Sequence, residues 1–166
     1  SECIPTFSLE DGLVIGLIAG GDTALRTGIE GAEDVLEGAI EDLKKLNLSK
    51  RDSLVGIAAS GRTPYVVGAL RYAKEIGAAS IALSCNLNSE LSKFADIAIE
   101  VDTGAEILAG STRLKAGTAQ KLVLNMISTV SMINLGKTYG NLMVDLQVSN
   151  IKLRDRAIRI IQSATN

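Results

Sequence analysis

Two hydroxyls, a glycine and a guanidinium lie side by side in the segment Ser60–Thr63 (SGRT). An apolar run ends just before it at Ala59, and a helical pattern begins after it with Pro64. A glycine lets a ligand approach the backbone, and the first amides of a helix carry partial positive charge. The hydroxyls and the arginine add donors that suit a phosphate group. The segment therefore predicts a site for phosphate or another small anion, with a capped turn and a solvated arginine as the alternative.

A second segment with similar chemistry, Gly110–Lys115 (GSTRLK), opens the longest helical pattern of the chain. Ser111 and Thr112 offer hydroxyls at the helix start. Basic residues are unfavourable at a helix N-terminus in isolation, so Arg113 and Lys115 there indicate an anion that offsets the repulsion. The segment is a second candidate anion site, with a solvated helix start as the alternative.

Carboxylates are concentrated near the start of another helical pattern, where the sequence reads EGAED from Glu30 to Asp34. In a helix, Glu30 and Glu33 would share one flank, as would Glu33 and Glu37. A run of acids at such a place is usually a solvated face that the helix dipole favours. Spacing alone selects no catalytic acid among them. Glu2 has only Ser1 before it, so the sequence gives no context for its side chain.

The composition excludes several classes of function. The net charge of −2 argues against nucleic acid as a partner, because phosphate backbones select basic surfaces. The sequence has no histidine, which removes the commonest metal ligand and the commonest general base. Acid–base chemistry must then use carboxylates, Lys, Tyr, Cys or water. Cys3 and Cys85 stand alone, which predicts reduced thiols in a cytoplasmic protein.

We expect neither a signal peptide nor a membrane span. The start lacks a basic stretch followed by an apolar one. The longest apolar helix candidate, Ala119–Ile133, is interrupted by Gln120, Lys121 and Asn125, so it predicts a buried helix. With 166 residues, 46% of them apolar, the chain can bury the core of one domain.

Short apolar runs alternate with helical patterns along the chain. The apolar runs, which suit strands buried on both faces, are Leu13–Ala19, Leu54–Ala59, Ser80–Ser84 and Ile97–Val101. The helical patterns run from Thr23 to Leu46, from Thr63 to Ile76, from Ser89 to Phe94, onward from Ser111, and from Asn150 to about Ser163. This alternation predicts an α/β domain with a parallel sheet, in which ligands bind at the carboxyl ends of the strands.

Six motifs occur in series along nearly the whole chain: SECIPTF, GLIAGG, EGAED, GIAASGRTPYV, GSTRLKAGTAQKLVLNM and YGNLMVD. In their order and spacing they resemble the N-acetylmuramic acid 6-phosphate etherases, bacterial enzymes built on the sugar isomerase (SIS) domain. The resemblance implies a flavodoxin-like three-layer α/β/α sandwich with a parallel sheet. It also implies a homodimer in the cytoplasm, with no metal and no organic cofactor, that binds a sugar phosphate.

The resemblance further implies a lyase reaction in the recycling of cell-wall (peptidoglycan) amino sugars. The D-lactyl ether of N-acetylmuramic acid 6-phosphate is cleaved to N-acetylglucosamine 6-phosphate and D-lactate, by elimination and addition of water. By matching motif, Glu2 would be the general acid and Glu33 the base at C2. The 6-phosphate or sugar would be held by Ser60, Gly61, Arg62 and Thr63, with Ser111, Thr112 and Lys115 as further candidates for the same pocket.

The chain departs from the family pattern in two respects. Ile4 stands where the family usually has proline. The family also carries a helix, a strand and a glycine-rich loop before the SEC motif, so we expect one SIS domain over residues 1–166 that is incomplete at its N-terminus. Two other functions fit the same fold. One is a non-catalytic sugar-phosphate-binding regulatory protein, such as the glucokinase regulatory protein, and the other is an aldose–ketose isomerase.

Overall fold

Three parallel strands form the sheet of this protein. The computed structural model describes residues 3–165, with the strands β1 (Ser53–Ile57), β2 (Ala79–Ser84) and β3 (Ile97–Glu100). Their order in the sheet is β1-β2-β3; Val55 lies opposite Ile81, and Leu83 lies opposite Ile99. The predicted α/β class with a parallel sheet is confirmed, and the last three of the predicted strands are present with small shifts at their ends.

Helices surround these strands in the sequence. They are α1 (Cys3–Phe7), α2 (Gly21–Ala24), α3 (Leu36–Lys45), α4 (Pro64–Ile76), α5 (Lys115–Asn134) and α6 (Ile151–Thr165). Single 3₁₀ turns lie at Ala32–Asp34 and Leu91–Lys93. The predicted helices at Thr63–Ile76, after Ser111 and from Asn150 are confirmed. The helix predicted over Ser89–Phe94 is reduced to the second of the 3₁₀ turns.

Helix α4 connects β1 to β2 and packs on both strands. Proline suits its first position, because no helical partner exists there for the missing N–H, and Gly77 ends it with φ +77°. Leu70 is fully buried in a cluster that includes Ala82 of β2. Burial of this one leucine side chain stabilises the fold by about 1.5–3 kcal/mol. Helix α3 packs on α4 through a second cluster, which includes Leu43 and Tyr65. These contacts fix the start of α4 and the loop that leads into it.

The apolar run Leu13–Ala19 is not a strand, contrary to the prediction. Leu13 and Ile15 are more than half exposed, and residues 17–19 line a cavity along β1 without pairing with it. A strand needs a neighbour for its backbone N–H and C=O groups. None of the described strands pairs with this run. Hydrophobicity favours an extended segment, but pairing requires a partner that the pattern does not specify.

The predicted helix from Thr23 to Leu46 is also wrong, because the segment is divided between α2, a 3₁₀ turn and α3. Helix α2 ends at Ala24, and Gly31, with a left-handed backbone (φ +72°), lies between Glu30 and the 3₁₀ turn that carries Glu33. The carboxylates of Glu30, Glu33 and Glu37 therefore do not share one helix flank. Glu33 lies in the 3₁₀ turn, and Glu37 lies in the first turn of α3.

The chain is divided into two compact units. Residues 17–123 form the larger, which contains the whole sheet. In the smaller, formed by residues 1–16 and 124–166, the N–H of Gln147 donates to the carbonyl of Pro5 (2.9 Å), and Lys137 pairs with Asp145 (2.6 Å). That residues 1–166 act as one domain stays a prediction. Among residues 3–165, no helix has both the length and the hydropathy needed to cross a membrane.

Candidate active site

The loop that carries Ser60–Thr63 follows the carboxyl end of β1. Hydrogen bonds to the carbonyls of Ala59 and Gly61 hold it in place. The carbonyl of Ala59 accepts from the N–H of Cys85 (3.0 Å) and from the side-chain amide of Asn86 (2.9 Å). The N–H of Gly61 donates to the carbonyl of Ala58 (3.0 Å), and the carbonyl of Gly61 accepts from the N–H of Leu91 (3.0 Å). The loop is thus attached to the segment that follows β2.

That neighbouring segment is in turn anchored by Glu100, at the end of β3. The carboxylate of Glu100 accepts from the N–H groups of Asn88 and Ser89, both at 2.8 Å, and from the hydroxyl of Ser92. These hydrogen bonds hold the pKa of Glu100 below its ordinary value, and the bond from Ser92 contributes most to that lowering. The ionised carboxylate therefore fixes the segment on which the Gly61 turn rests.

The start of α4 leaves donors open beside this loop. In the described part of the chain, the N–H groups of Thr63, Tyr65 and Val66 donate no hydrogen bond. The first amide of the helix to do so is that of Val67, which bonds to the carbonyl of Thr63 (3.0 Å). Such amides, with the partial positive charge of a helix start, attract anions. The Ser60 hydroxyl accepts a long hydrogen bond from the N–H of Arg62 (3.4 Å).

A cavity of about 480 Å³ lies against the carboxyl end of β1. Among the residues that line it are Glu33, Ser60, Thr63 and Thr112, which the sequence placed in candidate sites in three separate segments. The turn of residues 32–34 supplies Glu33, whose side chain is exposed. The cavity therefore joins a carboxylate to hydroxyl groups in a space large enough for a sugar phosphate.

The other predicted residues have different positions. Gly61 and Arg62 belong to the same loop but do not line the cavity, and Arg62 is exposed. Ser111 precedes Thr112, and Lys115 is the first residue of α5; neither lines the cavity. Glu2 lies outside the described residues. The ligand roles of these residues stay predictions.

The start of α5 already has an anion, supplied by the chain itself. The two carboxylate oxygens of Glu106 accept from the N–H groups of Lys115 and Ala116, each at 3.0 Å. These bonds hold the pKa of Glu106 below its ordinary value, that of Ala116 contributing most. Glu106, whose pKa the charge of Lys115 also lowers, is therefore an anion at this helix start, and sequence reasoning missed it because it lies nine residues before Lys115.

Two further cavity residues were not expected from the sequence. Tyr65 lines the cavity, and its hydroxyl donates to Asp42 (2.9 Å); burial and this bond raise its pKa. Gln120 lines the cavity from α5. Its polar side chain inside an apolar helical pattern is the sequence signal that could have indicated it. Among residues 3–165, no three His, Cys, Asp or Glu side chains are grouped to hold a metal ion.

Comparisons with known proteins agree with the motif series. Residues 3–74 match the family model of the glucokinase regulatory protein N-terminal SIS domain. Over 99% of its length, the chain is 62% identical to a protein of Caldanaerobacter subterraneus subsp. tengcongensis named N-acetylmuramic acid 6-phosphate etherase. Proteins of the same name from Lactococcus lactis subsp. cremoris and a Geobacillus species are 63% and 60% identical over 100% and 99% of the chain.

The aligned region is only part of each relative. It covers 54% of the Caldanaerobacter protein and 56% of the other two, so the chain spans about half the length of the curated relatives it matches. Within that half, the resemblance to N-acetylmuramic acid 6-phosphate etherases is confirmed, and the SIS-domain model matches residues 3–74.

Proposed function

We propose that this protein is an N-acetylmuramic acid 6-phosphate etherase, a lyase that releases D-lactate from its substrate and leaves N-acetylglucosamine 6-phosphate. The observation that carries the proposal is that Glu33 and the hydroxyl-bearing residues Ser60 and Thr63 line one cavity. The relatives that match nearly the whole chain carry this name, which supports the same reaction.

The phosphate end of the substrate binds at the Ser60–Thr63 loop. The open N–H groups at the start of α4 and the hydroxyls of Ser60 and Thr63 donate to the phosphate oxygens. Arg62 adds a guanidinium from the same loop. Because Gly61 and its neighbours are tied to the Glu100-anchored segment, the donors are held in place before the substrate arrives.

The elimination requires a base and an acid on adjacent carbons. The sugar first opens to its aldehyde, which makes the proton on C2 acidic. Glu33 removes that proton; the electron pair forms the C2–C3 double bond, and the C3–O bond breaks as Glu2 protonates the departing lactate oxygen. Water then adds to C3 and a proton returns to C2, which balances the sequence. A protein without histidine can perform these steps with two carboxylates.

The test is an assay of D-lactate from N-acetylmuramic acid 6-phosphate, with the protein at its full natural length. Glu33→Gln should abolish lactate release and also the exchange of the C2 hydrogen with deuterated water. Glu2→Gln should block release but allow exchange, because exchange needs only the base. The matched control is Glu37→Gln, a nearby carboxylate that does not line the cavity. Normal exchange in Glu33→Gln would refute the assigned base.

A non-catalytic sugar-phosphate-binding regulatory protein is the second candidate. The match of residues 3–74 to the SIS-domain model of the glucokinase regulatory protein favours it. Such a protein would bind sugar phosphates at the same loop without releasing lactate. Binding of N-acetylglucosamine 6-phosphate by a protein that yields no D-lactate would select this alternative over the etherase.

The cellular setting and the assembly belong to the same proposal. The etherase acts in the cytoplasm as a homodimer, in the recycling of cell-wall amino sugars and without a metal or organic cofactor. Exposed apolar side chains on α5, at Met126, Val130 and Ile133, provide surface that a second subunit would cover. Light scattering at several protein concentrations tests the dimer, and a monomeric mass throughout would refute it.

A further inference from the structure

Gln120 occupies a position on α5 where the helix otherwise buries apolar residues. It lies four residues after Ala116 and three before Val123, so the three side chains share one helix face. Ala116 is 2% exposed and Val123 is 8% exposed. Gln120 interrupts this buried stripe with a carboxamide and lines the cavity that also contains Glu33.

The carboxamide of Gln120 has no structural partner in the described part of the chain. Neither its NH₂ group nor its oxygen takes part in any hydrogen bond among residues 3–165. The side chain is half-buried and its polar atoms remain accessible, so the carboxamide is open to a ligand in the cavity. The hydroxyl of Tyr65, another cavity residue, by contrast donates to Asp42 within the fold.

The helix that carries Gln120 is fixed at its start, so the side chain enters the cavity from a defined position. The carboxylate of Glu106 binds the first two amides of α5. The carbonyl of Thr112, a cavity residue, accepts from the N–H of Gly117 (2.9 Å). Thr112, just before α5, and Gln120, within it, therefore line the cavity from one anchored segment. That segment is distant in sequence from the Ser60–Thr63 loop.

We propose that Gln120 is a specificity-determining residue that binds the 2-acetamido group of the sugar phosphate. A carboxamide presents one acceptor and two donors, which match the N–H and the C=O of an acetamido group. This inference rests on the proposed function, in which Glu33 acts at C2, the carbon that bears the acetamido group. Gln120 lines the same cavity as Glu33, and the acetamido group on C2 must lie in that cavity when Glu33 acts on C2.

The test compares binding of N-acetylglucosamine 6-phosphate and glucose 6-phosphate by calorimetry, with the protein at its full natural length. The wild type should prefer the acetamido sugar. Gln120→Leu should weaken binding of that sugar about tenfold, as expected for two lost neutral hydrogen bonds, and change binding of glucose 6-phosphate less than about threefold. Gln120→Asn, which shortens the side chain but keeps the carboxamide, provides a second variant if the leucine perturbs folding.

The matched control is Asn125→Leu, which removes an exposed carboxamide from the same helix outside the cavity. It should leave both affinities unchanged. Equal weakening of the two sugars in Gln120→Leu, or a wild type without preference, would overturn the assignment. Lactate release by the wild type separates the two proposals. If the wild type releases lactate and Gln120→Leu keeps the preference for the acetamido sugar, only this inference is refuted. If the wild type releases no lactate and Gln120→Leu loses that preference, only the etherase proposal is refuted.

Discussion

Gly61 and Ser89 pack so closely that a side chain does not fit at position 61. A Cβ atom on Gly61 would lie 2.4 Å from the Cβ of Ser89 and 3.1 Å from that of Ser84. Gly61 also has φ +72°, a conformation that costs a residue with a Cβ about 1–2 kcal/mol. The proposed phosphate loop thus depends on the absence of one methyl group.

We therefore expect Gly61→Ala to destabilise the protein more than Gly31→Ala does. Gly31 has the same φ of +72°, but open space surrounds the position of its Cβ. The backbone term alone predicts a loss of about 1–2 kcal/mol in the free energy of unfolding for Gly31→Ala. Overpacking should bring the loss in Gly61→Ala to about 2–5 kcal/mol. Urea denaturation measures both, and equal losses would contradict the packing argument.

The carboxylate of Glu100 should make stability depend on pH. Its pKa in the folded state is lowered by the hydrogen bonds from Ser92, Ser89 and Asn88. Its stabilising effect is therefore complete above the ordinary pKa of a glutamate and is lost as the pH falls through the folded-state value. Glu100→Gln should lower stability near neutral pH and reduce the further loss between about pH 5 and pH 3.

Chemical denaturation at a series of pH values checks this expectation. Glu75→Gln is the control, because Glu75 is exposed and its carboxylate accepts no hydrogen bond among residues 3–165. If Glu100→Gln has the same pH profile as the wild type, the anchoring role of Glu100 is wrong.

Removal of the Ser60 hydroxyl should weaken substrate binding. A hydrogen bond to a charged phosphate contributes about 1.5–3 kcal/mol, so Ser60→Ala should raise KM about 10- to 100-fold. Arg62→Ala should also raise KM, because it removes the guanidinium that the loop offers to the phosphate. Steady-state kinetics of D-lactate release measures the effect, with the exposed Thr118→Ala as the control. An unchanged KM in both loop variants would favour the capped turn as the role of the segment.

The hydroxyl of Tyr65 should stabilise the contact between α3 and α4. It donates to Asp42 at 2.9 Å, and the tyrosine is 7% exposed. Tyr65→Phe should lower the free energy of unfolding by about 1–2 kcal/mol, since the ring stays in place and one hydrogen bond is lost. Tyr72→Phe is the matched control, because the Tyr72 hydroxyl makes no hydrogen bond in the described chain. A similar loss in both variants would refute the contribution of this bond.

Local signals predicted several of the helix ends. Pro64 and Gly77 mark the two ends of α4, because the first lacks an N–H and the second tolerates a left-handed backbone. Asn150 likewise caps α6, where its side-chain oxygen accepts from the N–H of Leu153 (2.9 Å). Each of these signals acts within a few residues of the chain, so the sequence alone carries it.

Predictions that required a distant partner were wrong or absent. The run Leu13–Ala19 has the composition of a strand, yet pairing depends on a neighbouring strand. The amphipathic spacing after Thr23 continues to Leu46, yet α2 ends at Ala24 and α3 begins only at Leu36, with the positive φ of Gly31 between them. The cap of α5 by Glu106 depends on a loop conformation that periodicity does not describe.

The candidate site depends both on local sequence signals and on contacts between segments far apart in the chain. Residue types in short motifs were enough to name Ser60, Thr63 and Thr112 as candidates, and the motif series was enough to select Glu33 and to indicate the etherases. That these four share one cavity, with Gln120 beside them, follows from the packing of segments far apart in the chain. Packing of these segments against β1 and α4 brings the four residues together. A spacing pattern within a single segment carries no information on that packing.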